Sequence, residues 1–161
     1  MAVLDKISRI LNQIFIFAGG CFLVALILLI CANIFSRLIW IPVKGTFELM
    51  GYFGAIITAF ALSYTQAKKG HIAVDILVNR FSEKTRRVIN GINFLICTLF
   101  FSLAGWQIIK WANTLRTSGE VTETLRIIYY PFTYGVALGC FLLALMLLTD
   151  LAKLFFTGNE A

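Results

Sequence analysis

The stretch that decides the fold is ILNQIFIFAGGCFLVALILLICANIFS, residues 10–36, which carries no charged side chain and no histidine. A helix needs roughly 20 consecutive apolar residues to cross a hydrocarbon layer about 30 Å thick. Three further stretches without charge follow, at residues 49–67, 88–109 and 127–149. The sequence therefore predicts four transmembrane helices within a single membrane domain, residues 1–161.

The composition indicates a membrane protein with little chain outside the membrane, and the spanning stretches are expected to be helices. Hydrophobic residues make up 60% of the 161 residues and charged residues 14%, which is far from the composition of a soluble domain. Backbone groups in lipid must satisfy their own hydrogen bonds, and the alternating pattern of a barrel strand is absent from the sequence. The predicted fold class is an all-α integral membrane protein.

Basic residues in the short loops indicate the orientation, because cytoplasmic loops retain Lys and Arg. With the N-terminus inside, nine basic residues lie in the cytoplasm and five outside. The first group is Lys6, Arg9, Lys68, Lys69, Arg80, Lys84, Arg86, Arg87 and Lys153, and the second is Arg37, Lys44, Lys110, Arg116 and Arg126. We expect an inner-membrane protein with both termini in the cytoplasm. The net charge of +6 is then a topology signal and does not indicate nucleic-acid binding.

The segments that flank the spans carry their own signals. Residues 1–9 are expected to form a short amphipathic lead-in along the inner surface. The cytoplasmic loop predicts a second interfacial segment, because four apolar side chains share one helical face, namely Ile72, Ala73, Ile76 and Leu77. Ser82 is expected to cap the third helix, Gly119 to end it, and Pro131 to lie at the start of the fourth.

Small residues recur at every fourth position of the second span, and the fourth span repeats the device with Gly135 and Gly139. The residues of the second span are Gly51, Ala55, Ala59, Ser63 and Ala67. We expect them to lie along one helical face, where small side chains let another helix approach closely. That helix can belong to this bundle or to a partner subunit, and the sequence leaves both alternatives open.

No Asp, Glu, Lys, Arg or His lies inside a predicted span, which disfavours a proton relay or an ion site in the bilayer. The single histidine, His71, cannot supply two haem ligands, and the four cysteines lack metal-like spacing. We therefore expect no enzymatic activity, cofactor or metal in this chain. His71 is either a solvated loop residue or a partner of Asp75 or a lipid phosphate. Arg37 and Glu48, joined by a short loop, are expected to extend to the outer interface and form a weak ion pair there, with contact to a lipid headgroup or a periplasmic partner as the alternative.

The order of these features resembles the small, DctQ-like membrane subunit of tripartite ATP-independent periplasmic (TRAP) transporters. The resemblance depends on Arg37 at the end of the first span, Glu48 at the start of the second, and the cytoplasmic stretch KGHIAVD, residues 69–75, followed by Arg86-Arg87. It covers nearly the whole chain. In that family the small subunit is a fixed scaffold for a large membrane subunit, which holds the substrate and sodium sites.

The resemblance implies a sodium-coupled importer of an organic anion, such as a dicarboxylate, sialic acid or sulfonate, that a periplasmic binding protein delivers. We expect the large subunit, the binding protein and membrane lipids as partners. The candidate interface residues are Arg37, Glu48, Gly51, Ala55, Ala59, Lys69, His71, Asp75, Gly135 and Gly139. The alternatives are a membrane anchor subunit of a redox enzyme and an autonomous small exporter or channel.

Overall fold

The computed structural model describes residues 2–39, 41–68 and 83–156. They form four helices, α1 (Ala2–Ile39), α2 (Thr46–Ala67), α3 (Glu83–Ser118) and α4 (Tyr130–Phe156). Each helix contains a stretch that is long and apolar enough to cross a membrane. The prediction of an all-α protein with four membrane-spanning helices is confirmed for this part of the chain.

Two helices are much longer than the charge-free stretches from which they were predicted. α1 has 38 residues and α3 has 36, so each is about 55 Å long, whereas the 22 residues of α2 span about 33 Å. The lead-in expected at residues 1–9 is not set apart from the first span, because α1 is continuous from Ala2. A search for charge-free stretches ends at the first charged residue, whereas the helix continues past it into the interface.

The end of α3 and the start of α4 lie at the positions predicted from Gly119 and Pro131. Gly119 adopts a left-handed φ of +67°, and its N–H donates to the Leu115 carbonyl at 3.1 Å, which closes the last turn of α3. α4 begins at Tyr130, so Pro131 lies in the first turn, where a missing N–H costs no helical hydrogen bond. The described part of α3 begins at Glu83, and the expected cap at Ser82 lies outside the described residues.

α4 is the central helix of the bundle. It packs along α3 on one side and α2 on the other, and it touches α1, which packs mainly against α2. We call the end with residues 41–45 and 119–129 the hairpin end, and the end with residues 8–12, 63–68 and 149–153 the terminal end. Because α4 separates α2 from α3, an open groove runs between those two helices.

The tightest apolar packing lies where α1, α2 and α4 meet. Ile56, Ala59 and Phe60 of α2 are buried there, with aromatic side chains from α1 and α4 around them. The rings of Phe15 and Phe60 meet edge to face at a centroid distance of 4.7 Å, a favoured aromatic geometry. This cluster holds α2 in place and thereby fixes one wall of the groove.

Candidate interaction surfaces

The crossing of α2 and α4 uses the small residues that the sequence singled out. A Cβ atom added to Gly139 would lie 2.7 Å from the Ala59 Cβ and 2.9 Å from the Ala59 carbonyl oxygen. A Cβ atom at Gly135 would meet the Ile56 side chain at 3.4 Å, an ordinary contact. Ala59, Gly135 and Gly139 therefore pack within this bundle, which answers for these three residues the alternative that the sequence left open.

Three of the remaining small residues of α2 are exposed and only Ser63 is buried like Ala59, so the prediction of one continuous stripe in contact with another helix is wrong for those three. Ala59 and Ser63 are buried, whereas Gly51, Ala55 and Ala67 are exposed. Each residue of an α-helix advances by about 100°, so a step of four residues drifts by about 40°, and four steps accumulate about 160°. Gly51 and Ala55 consequently line the groove between α2 and α3 instead of the contact with α4.

Glu48, in the first turn of α2, binds the backbone of the loop between α3 and α4. Its Oε1 accepts the Thr124 N–H at 2.7 Å, and its Oε2 accepts the Leu125 N–H at 3.3 Å. The expected ion pair with Arg37 is wrong, because no such pair joins these two side chains within the described residues and Arg37 is exposed. Two backbone donors in one loop satisfy the carboxylate without a basic side chain.

The start of α2 fits against the same loop by shape. Gly45 has a left-handed φ of +73°, and a Cβ atom there would lie 2.2 Å from the Leu125 side chain. The buried Thr46 hydroxyl donates to the Val43 carbonyl at 2.7 Å, which holds the turn that leads into α2. Residue 45 must therefore be glycine both for its conformation and for the space that Leu125 occupies.

The loop itself, residues 119–129, is an ordered turn. The buried Thr122 bonds twice to Ile127: its N–H donates to the Ile127 carbonyl at 3.0 Å, and its hydroxyl accepts the Ile127 N–H at 3.2 Å. Arg126 adopts a positive φ of 52° at the point where the chain reverses. With Glu48 and Gly45 below it, this loop forms a firm platform at the hairpin end.

Aromatic rings connect the platform to the helices. Tyr52 of α2 stacks on Tyr129 and on Phe132, at centroid distances of 5.5 and 5.4 Å. The Tyr129 hydroxyl donates to the Glu120 carboxylate at 2.6 Å, and this hydrogen bond, with a smaller contribution from desolvation, raises the pKa of Tyr129 to about 12. A tyrosine hydroxyl is protonated at neutral pH in any case, and the raised pKa of Tyr129 extends to higher pH the range over which it donates to Glu120.

A polar network holds the terminal end together, and sequence reasoning missed it. The fully buried Ser63 hydroxyl lies 2.9 Å from the Phe60 carbonyl of its own helix and 3.2 Å from Asn12 Oδ1, so its single proton is shared between these two acceptors and the second contact joins α2 to α1. Gln66 Nε2 donates to Asp150 Oδ2 at 2.9 Å, which joins α2 to α4, and Lys153 lies 3.8 Å from the other Asp150 oxygen. The available signal was the presence of Asn, Ser and Gln inside apolar stretches, since such side chains bond between membrane helices.

The outward faces of α1 and α3 are strongly apolar. Phe17 and Leu38 of α1 are 76% and 78% exposed, and Leu99 and Leu103 of α3 are each 60% exposed. A surface of this kind is stable only against lipid or against another apolar protein surface. Arg37 lies on the exposed side of the last turn of α1, and Lys69, His71 and Asp75 lie outside the described residues.

Comparison with known proteins supplies a family for this arrangement. A family model described as "Tripartite ATP-independent periplasmic transporters, DctQ component" matches residues 26–157, which include the last third of α1 and all of α2, α3 and α4. No curated protein matches the chain significantly. The family match covers more than half of the chain and includes both loops of the hairpin end.

Proposed function

The chain belongs to the DctQ component family of TRAP transporters, and on that premise we propose that it is the scaffold subunit of a sodium-coupled importer of an organic anion. It is a multi-pass membrane protein with four spanning helices. The single observation that carries the proposal is the family match over residues 26–157. The transported anion is a carboxylate, such as a dicarboxylate or sialic acid, or a sulfonate.

The acidic side chains within the helices are bound to other groups of this chain, which supports a scaffold role over a role in the transport path. Glu48 and Asp150 lie within the helices that span the membrane, and each is bound to groups of this chain. Glu48 accepts hydrogen bonds from two backbone N–H groups. Asp150 accepts a hydrogen bond from Gln66 and forms an ion pair with Lys153. These carboxylates fix loops and helices to one another. The sodium and substrate sites, and any moving element, then belong to the large subunit, and this chain has no enzymatic role.

The partners in this proposal are those that the family implies, and the exposed surfaces offer them places to bind. The large membrane subunit binds the apolar outward faces of α1 and α3, and lipid covers the rest of these faces. The chain lies in a bacterial inner membrane with both termini on the cytoplasmic side, so the hairpin end faces the periplasm. The platform formed by residues 119–129 is then on the side from which a periplasmic binding protein approaches.

Reconstitution tests the function. Proteoliposomes that contain this chain, the large subunit and the binding protein should accumulate the organic anion when a sodium gradient is imposed. Liposomes with this chain alone should accumulate none, and liposomes that lack this chain should lose most of the uptake. Full uptake by the large subunit and binding protein without this chain would refute the scaffold role.

The alternative of a redox-enzyme anchor receives no support from the family match. An absorption spectrum of the purified complex tests it independently of transport. We expect no haem or flavin bands, and their presence in stoichiometric amount would favour the anchor.

A further inference from the structure

The groove between α2 and α3 is open along the side of the bundle and has two sections. The outer section, at the hairpin end, has a volume of about 760 Å³, and the inner section has about 340 Å³. Ala55 and Val136 line both sections, so the groove is continuous. Along α2 it extends from Glu48 to Leu62, which corresponds to about 21 Å of helix.

The inner section is lined mainly by apolar residues, and several of those on α2 are small. Gly54 and Ala55 form the α2 wall, Phe101 the α3 wall and Gly139 part of the floor. A Cβ atom at Gly51 or Gly54 would meet no atom within 4 Å, so the space beside these glycines is open. Thr58 also lines this section, and its hydroxyl is engaged in a hydrogen bond to the Gly54 carbonyl at 2.8 Å.

The rim of the outer section is acidic and aromatic. Three carboxylates line it, those of Glu48, Glu120 and Glu123, together with the rings of Trp111 and Tyr129. Among the described residues, no Lys or Arg lines this section. Carboxylates and the faces of aromatic rings both attract a cation, and they repel an anionic headgroup.

The dimensions favour a lipid over a helix as the occupant. A helix about 10 Å in diameter occupies roughly 1,650 Å³ over the groove length of about 21 Å, more than the two sections provide together at about 760 and 340 Å³. One leaflet of the hydrocarbon core is about 15 Å deep, so a groove of about 21 Å has room for one acyl chain and the glycerol above it. The acidic rim then lies at the depth of the headgroup.

We propose that this groove binds a phospholipid with a primary ammonium headgroup, with one acyl chain between α2 and α3 and the ammonium group at the carboxylates of Glu48, Glu120 and Glu123. The inference needs only the four membrane-spanning helices and the groove, so it is independent of the transport function proposed above. The bound lipid fills the space that α4 leaves between α2 and α3 and supports both walls.

Native mass spectrometry of the full chain, delipidated in mild detergent and titrated with phosphatidylethanolamine or phosphatidylglycerol of identical acyl chains, tests the proposal. The wild-type chain should bind phosphatidylethanolamine at least about threefold more tightly, since each exposed charge pair contributes modestly. Gly54→Leu should weaken binding of both lipids roughly tenfold, because the new side chain occupies the acyl-chain site. Gly20→Leu on α1 is the matched control, since that glycine also has no atom within 4 Å of an added Cβ and lies outside the groove.

The headgroup has its own pair of variants. Glu123→Gln should reduce the preference for phosphatidylethanolamine and leave phosphatidylglycerol binding no weaker, whereas Glu83→Gln, at the far end of α3, should leave the preference unchanged. Equal binding of the two lipids by the wild-type chain, or equal behaviour of Gly54→Leu and Gly20→Leu, would overturn the proposal. A photo-crosslinker at position 54 of the assembled complex should capture lipid, and capture of a partner chain would overturn it as well.

Discussion

Gly139 of α4 and Ala59 of α2 approach so closely that a Cβ atom on Gly139 would lie 2.7 Å from the Cβ of Ala59 and 2.9 Å from its backbone. Real Cβ atoms do not tolerate this distance, so even alanine at position 139 forces the two helices apart. The contact joins the central helix to α2 and thereby positions the groove and the start of the hairpin-end platform.

The substitution Gly139→Ala should therefore destabilise the bundle, by about 1–3 kcal/mol, as overpacking of a core contact does. Thermal unfolding of the purified chain in detergent measures the effect. Gly51→Ala is the matched control, because a Cβ atom there meets nothing within 4 Å, and it should be neutral or slightly stabilising. Equal stability of the two variants would contradict the close crossing.

The hydrogen bond between Ser63 and Asn12 should couple α1 to α2 energetically. A double-mutant cycle of Ser63→Ala and Asn12→Ala should give a coupling energy of about 0.6 kcal/mol, with about 1.7 kcal/mol as an upper bound for such bonds. The control cycle pairs Ser63→Ala with Asn93→Ala, whose side chain bonds Cys97 on its own helix. That cycle should be additive, and additivity in the first cycle would mean that the bond contributes nothing.

Removal of the Glu48 carboxylate should loosen the loop between α3 and α4. In Glu48→Ala the N–H groups of Thr124 and Leu125 lose their acceptor, so their hydrogen exchange should accelerate by about tenfold. Exchange is measured by mass spectrometry on the peptide that contains both residues. Glu123→Ala removes a neighbouring charge without removing that acceptor, and exchange as fast in this variant as in Glu48→Ala would argue against the bond to Glu48.

Much of the fold could be predicted from the sequence, because lipid imposes a simple requirement on each helix. Charge-free stretches of sufficient length placed all four helices, and Gly119 and Pro131 placed two helix ends through their own backbone preferences. The extension of α1 back to Ala2 was not predictable in this way. Helical backbone continues through charged residues at the interface, where a hydropathy criterion detects nothing.

The candidate surfaces were less predictable, because they depend on which residues meet in space. Glu48 was singled out, but its partners lie 76 and 77 residues along the chain and are backbone groups, which have no sequence signal. The small residues of α2 were also singled out, and the drift of about 40° per step decides which of them meet α4. Ala59 lies at the point where α4 crosses α2 and meets Gly139, whereas Gly51 lies away from that crossing and lines the groove.

The orientation of the bundle is a separate prediction that depends on the distribution of basic residues. The described cysteines all lie within helices, so a cysteine-free background can be made by substitution at four positions. In spheroplasts, Thr124→Cys should react with a membrane-impermeant maleimide, whereas Lys68→Cys should react only after permeabilisation. The reverse pattern would place the hairpin end in the cytoplasm and contradict the proposed topology.

The central claim is that this chain holds a larger membrane protein in place, and the most direct test is affinity purification from native membranes in mild detergent. We predict that the tagged chain elutes in a stoichiometric complex with one larger multi-span protein, because the proposed scaffold role requires a stable contact with that protein and the exposed apolar faces of α1 and α3 are available for it. Elution of the chain alone, from membranes in which that larger protein is present and folded, would contradict the account.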